Sequence, residues 1–260
     1  MIGIRILQPR YRELIWYKTW AGLRAEASQN YLSFLWWILE PLLSMAIYYL
    51  VFGLLIPRGT PDFVPFLLIG LITWQWFANT IVHSLNSIIG NRQLMTQVDL
   101  PKAVFPSVIV GMDVIKFSCV FILLLVFLWL YGFMPSWHYF ALPVVMLAQF
   151  TLILTFSYLA AAIIPFFPDL RFLVQAMLQL VFFVSGILFD GKSIPEQYQQ
   201  YFYLNPMANV IDAYRDILMH HQWPDWPALV VVFGFGFIGL CFGYAIIAYY
   251  DRYYLRIIAR

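Results

Sequence analysis

An eight-residue segment in the second half of the chain matches a nucleotide-binding motif. Residues 186–193 read GILFDGKS, which fits the phosphate-loop pattern G-x-x-x-x-G-K-[ST] at every fixed position. A phosphate loop requires a preceding strand and a following helix whose N-terminal amides face the phosphate. Here an apolar run of membrane-spanning character precedes the segment, and Pro195 interrupts the chain directly after it. We therefore expect neither nucleotide binding nor ATPase activity from this chain.

Ionisable residues within the apolar runs are the next candidates for chemistry. Glu40 precedes Pro41 in the first run, and Asp113 and Lys116 lie three residues apart, on one helical face. A proton relay needs further acidic groups, and no chain of them continues from these positions. We interpret Glu40 as a capped or snorkelling carboxylate and Asp113–Lys116 as a structural ion pair.

Other polar groups resemble sites only in composition. His220 and His221 lack the spacing of metal ligands, so we expect surface histidines and no metal. Cys119 and Cys241 lie in apolar runs, which predicts core packing. Segment 190–227 carries five acidic residues, which form no recognisable catalytic arrangement. Three residues of this segment share a helical face, which predicts an ion-pair cluster. The acids are Asp190, Glu196, Asp212, Asp216 and Asp225, and the cluster is Asp212, Arg215 and Asp216.

The amino-acid composition indicates whether this chain folds in water or in lipid. Hydrophobic residues make up 63% of the chain and charged residues 11%, against about 25% charged in soluble domains. The polar surface is too small to cover a globule in water, so the natural solvent is lipid. Continuous apolar runs of about 20 residues favour spanning helices over barrel strands. The net charge of +2 without a basic stripe argues against a nucleic-acid partner.

The runs predict an all-α, polytopic membrane protein with six transmembrane helices. Tryptophans and cations in residues 13–27 predict an N-terminal interfacial helix. The expected units are a cytoplasmic or interfacial segment (1–33), a permease domain (34–250) and a cytoplasmic tail (251–260). Gly239 and Gly243 form a G-x-x-x-G pair that permits close helix packing. The six spans cover about 34–56, 63–85, 107–131, 139–164, 172–189 and 228–250.

The distribution of lysine and arginine predicts that both termini are cytoplasmic. In this orientation eleven cations fall inside and three outside, namely Arg58, Lys192 and Arg215. Segment 190–227 is then outside and loop 86–106 inside. We expect a multi-pass protein of the bacterial cytoplasmic (inner) membrane.

Two stretches resemble the signatures of a known family. Residues 31–42 read YLSFLWWILEPL, similar to that family's Leu-x-x-Trp-x-x-x-x-Pro-Leu opening of the first span. Ile194-Pro195, Leu204-Asn205-Pro206 and Arg215 resemble its signature between spans five and six. The chain thus resembles the ABC-2 type permeases that export polysaccharides: O-antigen, capsule and teichoic acid exporters. In one departure, Ala25-Glu26-Ala27 replaces the basic run usual before the first span.

The resemblance implies a channel-forming subunit of an ATP-driven exporter of lipid-linked polysaccharide, with O-antigen as the expected cargo. Its implied partners are a second copy, two copies of a cytosolic ABC ATPase, membrane lipid and an undecaprenyl-diphosphate-linked glycan. The ATPase holds ATP and Mg²⁺, and this chain binds no cofactor. ATPase-coupling residues are expected in loop 86–106, and re-entrant helices between spans five and six. The coupling residues are Arg92, Gln93, Met95, Gln97, Asp99 and Lys102, and the re-entrant segment carries Pro195, Asn205, Pro206 and Arg215.

Aromatic residues, 20% of the chain, suggest a path for sugar rings, whose C–H faces stack on them. The channel candidates lie on the first and fifth spans. Adjacent helical residues are about 100° apart, so one ring of each adjacent pair should face the path and the other should pack. Two alternatives are an ABC-2 exporter of a drug or small lipid and a membrane enzyme acting on lipid-linked sugars. The channel candidates are Trp36, Trp37, Tyr48, Tyr49, Phe182 and Phe183.

Overall fold

The described elements are helices and turns that follow the apolar runs. The computed structural model describes residues 8–29 and 62–258, with residues 39, 42, 43, 46, 47, 50 and 51. These residues include no β-strand, which confirms the all-α prediction for them. Three 3₁₀ turns lie at Ile89–Asn91, Trp137–Ala141 and Gly191–Ser193. The described α-helices are α1 (Pro9–Gln29), α2 (Phe63–Leu85), α3 (Arg92–Gln97), α4 (Val104–Tyr131), α5 (Leu142–Ile163), α6 (Leu170–Val184), α7 (Glu196–Phe202), α8 (Pro206–Leu218), α9 (Trp226–Tyr250) and α10 (Tyr253–Ile258).

Four of the predicted spans are confirmed as helices long and apolar enough to cross a bilayer. They are α2, α4, α9 and residues 137–163, which include α5. Of the first predicted span, 34–56, only residues 39, 42, 43, 46, 47, 50 and 51 are described, and Glu40 lies outside the described residues. The bounds of the fifth, 172–189, are wrong because α6 ends at Val184 and Gly186 adopts a left-handed turn, with φ of 70°. Fifteen residues rise about 22 Å, less than the ~30 Å hydrocarbon core.

The bundle has two ends, named here after the predicted orientation. The inner end carries residues 86–103, 164–169 and 251–258, and the outer end carries residues 132–141 and 185–225. Between them α2 is central, with most of its residues buried against α4 and α5. Gln149 Nε2 on α5 donates a hydrogen bond to the Thr73 carbonyl of α2 at 2.8 Å.

The outward faces of α4 and α9 are apolar and exposed, as expected for surfaces that meet lipid. Cys119 on α4 and Cys241 on α9 lie on these faces, and both are exposed. The prediction that the two cysteines pack in the core is therefore wrong. An apolar position in a span is as readily a lipid-facing position as a buried one, because lipid and core are equally apolar.

The N-terminal helix is confirmed, and it packs beside α4. Tyr11 clusters with Val104 at the start of α4, and Glu26 pairs with Lys116 about three turns later. Because the contacts advance in step along both helices, α1 runs in the same direction as the first half of α4. Trp16 remains exposed. The position of α1 at a membrane surface stays a prediction.

Helices α5 and α9 pack closely because glycines line the contact. Gly236 and Gly239 of α9 face Thr151 and Thr155 of α5, and the Thr155 hydroxyl donates to the Gly236 carbonyl across the pair. Gly243 faces Tyr158. The G-x-x-x-G pair thus supports close packing within the chain.

Two glycines on different faces of α9 provide a matched test of this contact. A Cβ at position 236 would overlap the Thr151 side chain and lie 3.0 Å from its backbone, whereas a Cβ at 234 meets nothing within 4 Å. We expect Gly236→Ala to lower the free energy of unfolding by about 1–3 kcal/mol. Gly234→Ala should leave it unchanged or raise it by up to about 1 kcal/mol, because alanine is the better helix former and its Cβ meets nothing. Thermal unfolding in lipid nanodiscs measures both, and equal melting temperatures would contradict the close approach.

Candidate functional site

Arg215, on α8, joins three elements at the outer end. Its side chain is 2% exposed. Nη1 donates to the Gly186 carbonyl at 2.8 Å and Nη2 to the Ile187 carbonyl at 3.1 Å. Nη2 and Nε also reach the Phe66 carbonyl at 3.2 and 3.3 Å, and the guanidinium lies 3.3 Å from the centroid of the Phe66 ring. One cation therefore fixes α8 to the first turn of α2 and to the turn after α6.

Asn205 and Pro206 explain how the chain positions this arginine. Asn205 Oδ1 accepts a hydrogen bond from the Met207 amide at 3.0 Å and so caps α8, with Pro206 in its first turn. Asn205 Nδ2 donates to Ser185 Oγ at 2.8 Å, which ties the cap to the end of α6. The apolar face of α8 is buried with the spans, so Arg215 reaches the carbonyls from inside the core.

The electrostatics keep Arg215 charged. Burial lowers the pKa of Arg215 to about 10, and the neighbouring Asp212 opposes this shift. Burial also raises the pKa of Asp212, whereas Arg215 and the Tyr203 hydroxyl lower it. The Asp212 and Arg215 side chains lie 3.5 Å apart, which confirms that part of the predicted cluster. Asp216 instead pairs with His220 at 3.1 Å.

A cavity of about 630 Å³ opens beside Arg215 at the outer end. Its acids already serve the fold: Asp190 accepts a hydrogen bond from the Lys192 amide at 2.9 Å, and Asp225 from the Ala228 amide at 3.2 Å. No group of three metal-ligating side chains occurs among the described residues. His220 and His221 are exposed, as predicted.

Segment 186–193 lacks the geometry of a phosphate loop. It follows helix α6 instead of a strand, and Gly191–Ser193 forms a 3₁₀ turn capped by Asp190. After Pro195 the chain enters the seven-residue α7. Lys192 is exposed. The backbone amides of this segment are therefore not arranged at the N-terminus of a helix, as phosphate binding by such a loop requires.

At the inner end, the six predicted coupling residues divide by exposure. Lys102 lies with its ammonium 3.7 Å from Asp251 and 3.9 Å from Asp99. Met95 and Lys102 are buried, so their side chains are not on the surface that a partner meets. The other four predicted coupling residues, Arg92, Gln93, Gln97 and Asp99, are exposed.

The predicted Asp113–Lys116 pair is confirmed, within a larger network. Lys116 Nζ lies 3.8 Å from Asp113 and 2.7 Å from Glu26 of α1. Asp113 also lies 2.8 Å from Nδ1 of His83, in the last turn of α2. The network is therefore level with the inner end of α2, and it ties α1 to α2 and α4.

The two described channel candidates lie at the outer end of α6. Phe182 is half-buried and packs edge-to-face on Trp74, with centroids 6.0 Å apart, whereas Phe183 is exposed. The pair thus divides into one packed and one open ring, but its part in a cargo path stays a prediction. The other four candidates lie outside the described residues: Trp36, Trp37, Tyr48 and Tyr49.

Similarity to known proteins identifies the family of this chain. Residues 13–219 match the ABC-2 type transporter family. The chain is 32% identical over 225 residues to the O-antigen export system permease protein RfbA of Myxococcus xanthus, covering 86% of each chain. It is 32% identical over 199 residues to RfbA of Klebsiella pneumoniae, covering 76% of this chain and 77% of that relative. To the polysialic acid transport protein KpsM of Escherichia coli it is 27% identical over 234 residues, covering 86% and 88%. The chain belongs to the ABC-2 type transporter family.

The matched region reaches both ends of this ABC-2 permease. Residues 13–219 run from α1 to the residue after α8, and so include the predicted coupling residues and Arg215. The predicted resemblance to polysaccharide-exporting permeases is thereby confirmed.

Several contacts at these sites leave no signal in the sequence. His83 and Asp113 are 30 positions apart, and Glu26 and Lys116 are 90 apart. Gly70 carries a partial signal, as a small residue within a span. A Cβ there would lie 2.8 Å from Arg215 Nη2, so the glycine makes room for the guanidinium.

Arg215→Lys tests whether the outer end depends on the guanidinium. Lysine keeps the charge but cannot span the carbonyls of three residues. We expect a loss of about 3 kcal/mol or more in the free energy of unfolding, because buried acceptors lose their donor. The measurement is thermal unfolding in nanodiscs. Arg171→Lys is the control, since Arg171 is exposed and contacts the Phe172 ring. An Arg215→Lys protein as stable as wild type would contradict this role.

Proposed function

We propose that this chain is the channel-forming permease subunit of an ATP-driven exporter that moves lipid-linked polysaccharide across the bacterial inner membrane. The observation that carries this proposal is its similarity to O-antigen export permeases over most of both chains. The four candidate spans support a multi-pass location. Both termini are cytoplasmic in this proposal, as the cation distribution predicts.

The proposed cargo is O-antigen on an undecaprenyl-diphosphate anchor. Identity is higher to the O-antigen permeases, at 32%, than to the polysialic acid transport protein, at 27%. The rings proposed to line the path are Trp36, Trp37, Tyr48, Tyr49, Phe182 and Phe183, on which sugar faces stack.

The working unit is a homodimer with six membrane segments in each copy, of which α6, at fifteen residues, is shorter than the hydrocarbon core. Helix α6 supports this arrangement, because none of its residues is buried in the described chain. Its described helical contacts are mainly to α2, which leaves an apolar surface open. A pore between two copies needs such a helix at the shared axis, with the first span of residues 34–56 beside it.

Segment 185–225 forms the re-entrant part of the permease. Both of its ends lie at the outer end of the bundle, yet α8 packs against α2 and α5 and is buried with the spans. The Arg215 contacts hold it there. In this position α7 and α8 border the exit of the proposed pore.

Two copies of a separate ABC ATPase supply the energy, with ATP and Mg²⁺ bound in that subunit and no cofactor in this chain. The ATPase docks on α3 and the adjoining residues Arg92, Gln93, Gln97 and Asp99, supported from within by Met95 and Lys102. Closure of the ATPase pair shifts this segment and biases the pore between two states.

Charge reversal at Asp99 tests the docking site in the permease–ATPase complex. The Asp99 side chain is 82% exposed, and its carboxylate lies 3.9 Å from the Lys102 ammonium, so Asp99→Lys reverses a surface charge and removes this outer contact of Lys102. We expect at least about a tenfold loss in export per ATP hydrolysed, the effect of a disrupted charge contact in an interface. Surface glycan and ATP hydrolysis are measured on the same membranes.

Two control variants complete this experiment. Asp62→Lys reverses an exposed aspartate at the outer end and should change neither quantity. Lys192→Ala should leave both near wild type, whereas a collapse of hydrolysis would restore the phosphate-loop interpretation. Unchanged coupling in Asp99→Lys would contradict docking at this segment.

A further inference from the structure

One carboxylate anchors the C-terminal tail to the coupling segment. Asp251, the first residue after α9, accepts a hydrogen bond from the Lys102 amide through Oδ1 at 2.8 Å. Its Oδ2 lies 3.7 Å from the Lys102 ammonium. The Lys102 side chain is 2% exposed, so the same carboxylate satisfies its backbone and faces its buried charge. Asp99 is within 3.9 Å of this ammonium but is largely exposed, which leaves Asp251 as the principal partner.

The tail is held at a second point by Tyr254 of α10. This residue is fully buried, and its hydroxyl donates to the Ala162 carbonyl in the last turn of α5 at 3.1 Å. The Phe166 ring packs edge-to-face on it, with centroids 5.5 Å apart. Burial raises the pKa of Tyr254 further above neutral.

These anchors enclose a separate small core at the inner end. It contains Met95 and Phe105 from the coupling segment and its junction with α4, Ala161 from α5, Ile247 from α9 and Tyr254 from the tail. Helices α5 and α9 are in turn packed through glycines along their length. If α3 is displaced, α5 and α9 therefore either resist the displacement or move together with α3.

We infer that Asp251 is a positioning residue for coupling, which holds segment 86–106 on the inner ends of α5 and α9. Force applied to α3 then moves these two spans together with it. Without the carboxylate, α3 moves alone, so ATP hydrolysis continues but no longer drives export efficiently. The inference rests on the proposed function, in which α3 docks on the ATPase.

The first arm of the test needs no ATPase. Met95, 3% exposed, is replaced by cysteine in a chain whose Cys119 and Cys241 are serine, and its reaction with a thiol reagent is timed in open membranes. Asp251→Asn should raise this rate at least about tenfold, because loss of a charged partner eases local opening. A cysteine at Thr96, which is exposed, should react equally fast with or without the substitution.

The second arm measures export per ATP hydrolysed in the complex. Asp251→Asn should lower this ratio about tenfold while hydrolysis continues. Asp225→Asn is the matched control, because it alters the aspartate at the other end of α9 and should affect neither arm. Tyr254→Phe keeps the buried ring and removes only the bond to Ala162, so it should shift both arms by a smaller factor, even if Asp251→Asn inserts poorly.

The outcomes distinguish a failure of this inference from a failure of the proposed function on which it rests. Unchanged labelling at position 95 would overturn the anchor itself. Faster labelling with an unchanged export ratio would show that the anchor serves only folding, and would overturn its role in coupling. If Asp99→Lys fails to uncouple while labelling still rises in Asp251→Asn, the docking site is wrong but the anchor stands.

Discussion

The contact between Arg215 and the carbonyls of Phe66, Gly186 and Ile187 governs the outer end of the molecule. Hydrocarbon offers no donor to a carbonyl outside a regular helix, so irregular backbone at membrane depth needs one from the protein. Arg215 is such a donor for the turn after α6. Because the turn is satisfied, α6 can end at Val184, short of a full span, and α8 can be buried among the spans. Gly70 leaves the space that this arrangement requires.

The inner end is constructed differently. Its helices α3 and α10 have six residues each, too few to be stable alone, and are held by side chains from elsewhere. Lys102 with Asp251 fixes the tail, and the network through Lys116 fixes α1. A fixed outer end and an inner end of small linked pieces suit a permease in which a cytosolic partner shifts one end.

The sequence predicted the helices better than their contacts. Continuous apolar runs identified α2, α4, α5 and α9, because length and hydropathy alone decide whether a helix can span. It failed for the end of α6, since Ser185 to Phe189 are apolar enough to continue a helix but are turned by Gly186. It also failed for Cys119 and Cys241, because apolarity does not separate lipid-facing from buried positions.

Arg215 was identified through a family signature, but its carbonyl partners were not. Backbone acceptors leave no trace in the residue types, and neither do pairs as distant as Lys102 and Asp251. The ion pair at Asp113 and Lys116 was predictable because three residues set its spacing, whereas His83 and Glu26 joined it only through the fold.

The roles proposed for the inner and outer ends depend on which side of the membrane each end faces. Single cysteines at Gln97 and Gln200, both exposed and at opposite ends, test this in spheroplasts with a membrane-impermeant maleimide, in a chain whose Cys119 and Cys241 are serine. The account predicts rapid labelling of Gln200→Cys, and labelling of Gln97→Cys only after the membrane is opened. Labelling of Gln97→Cys from outside would place the coupling segment away from any cytosolic ATPase and contradict the account.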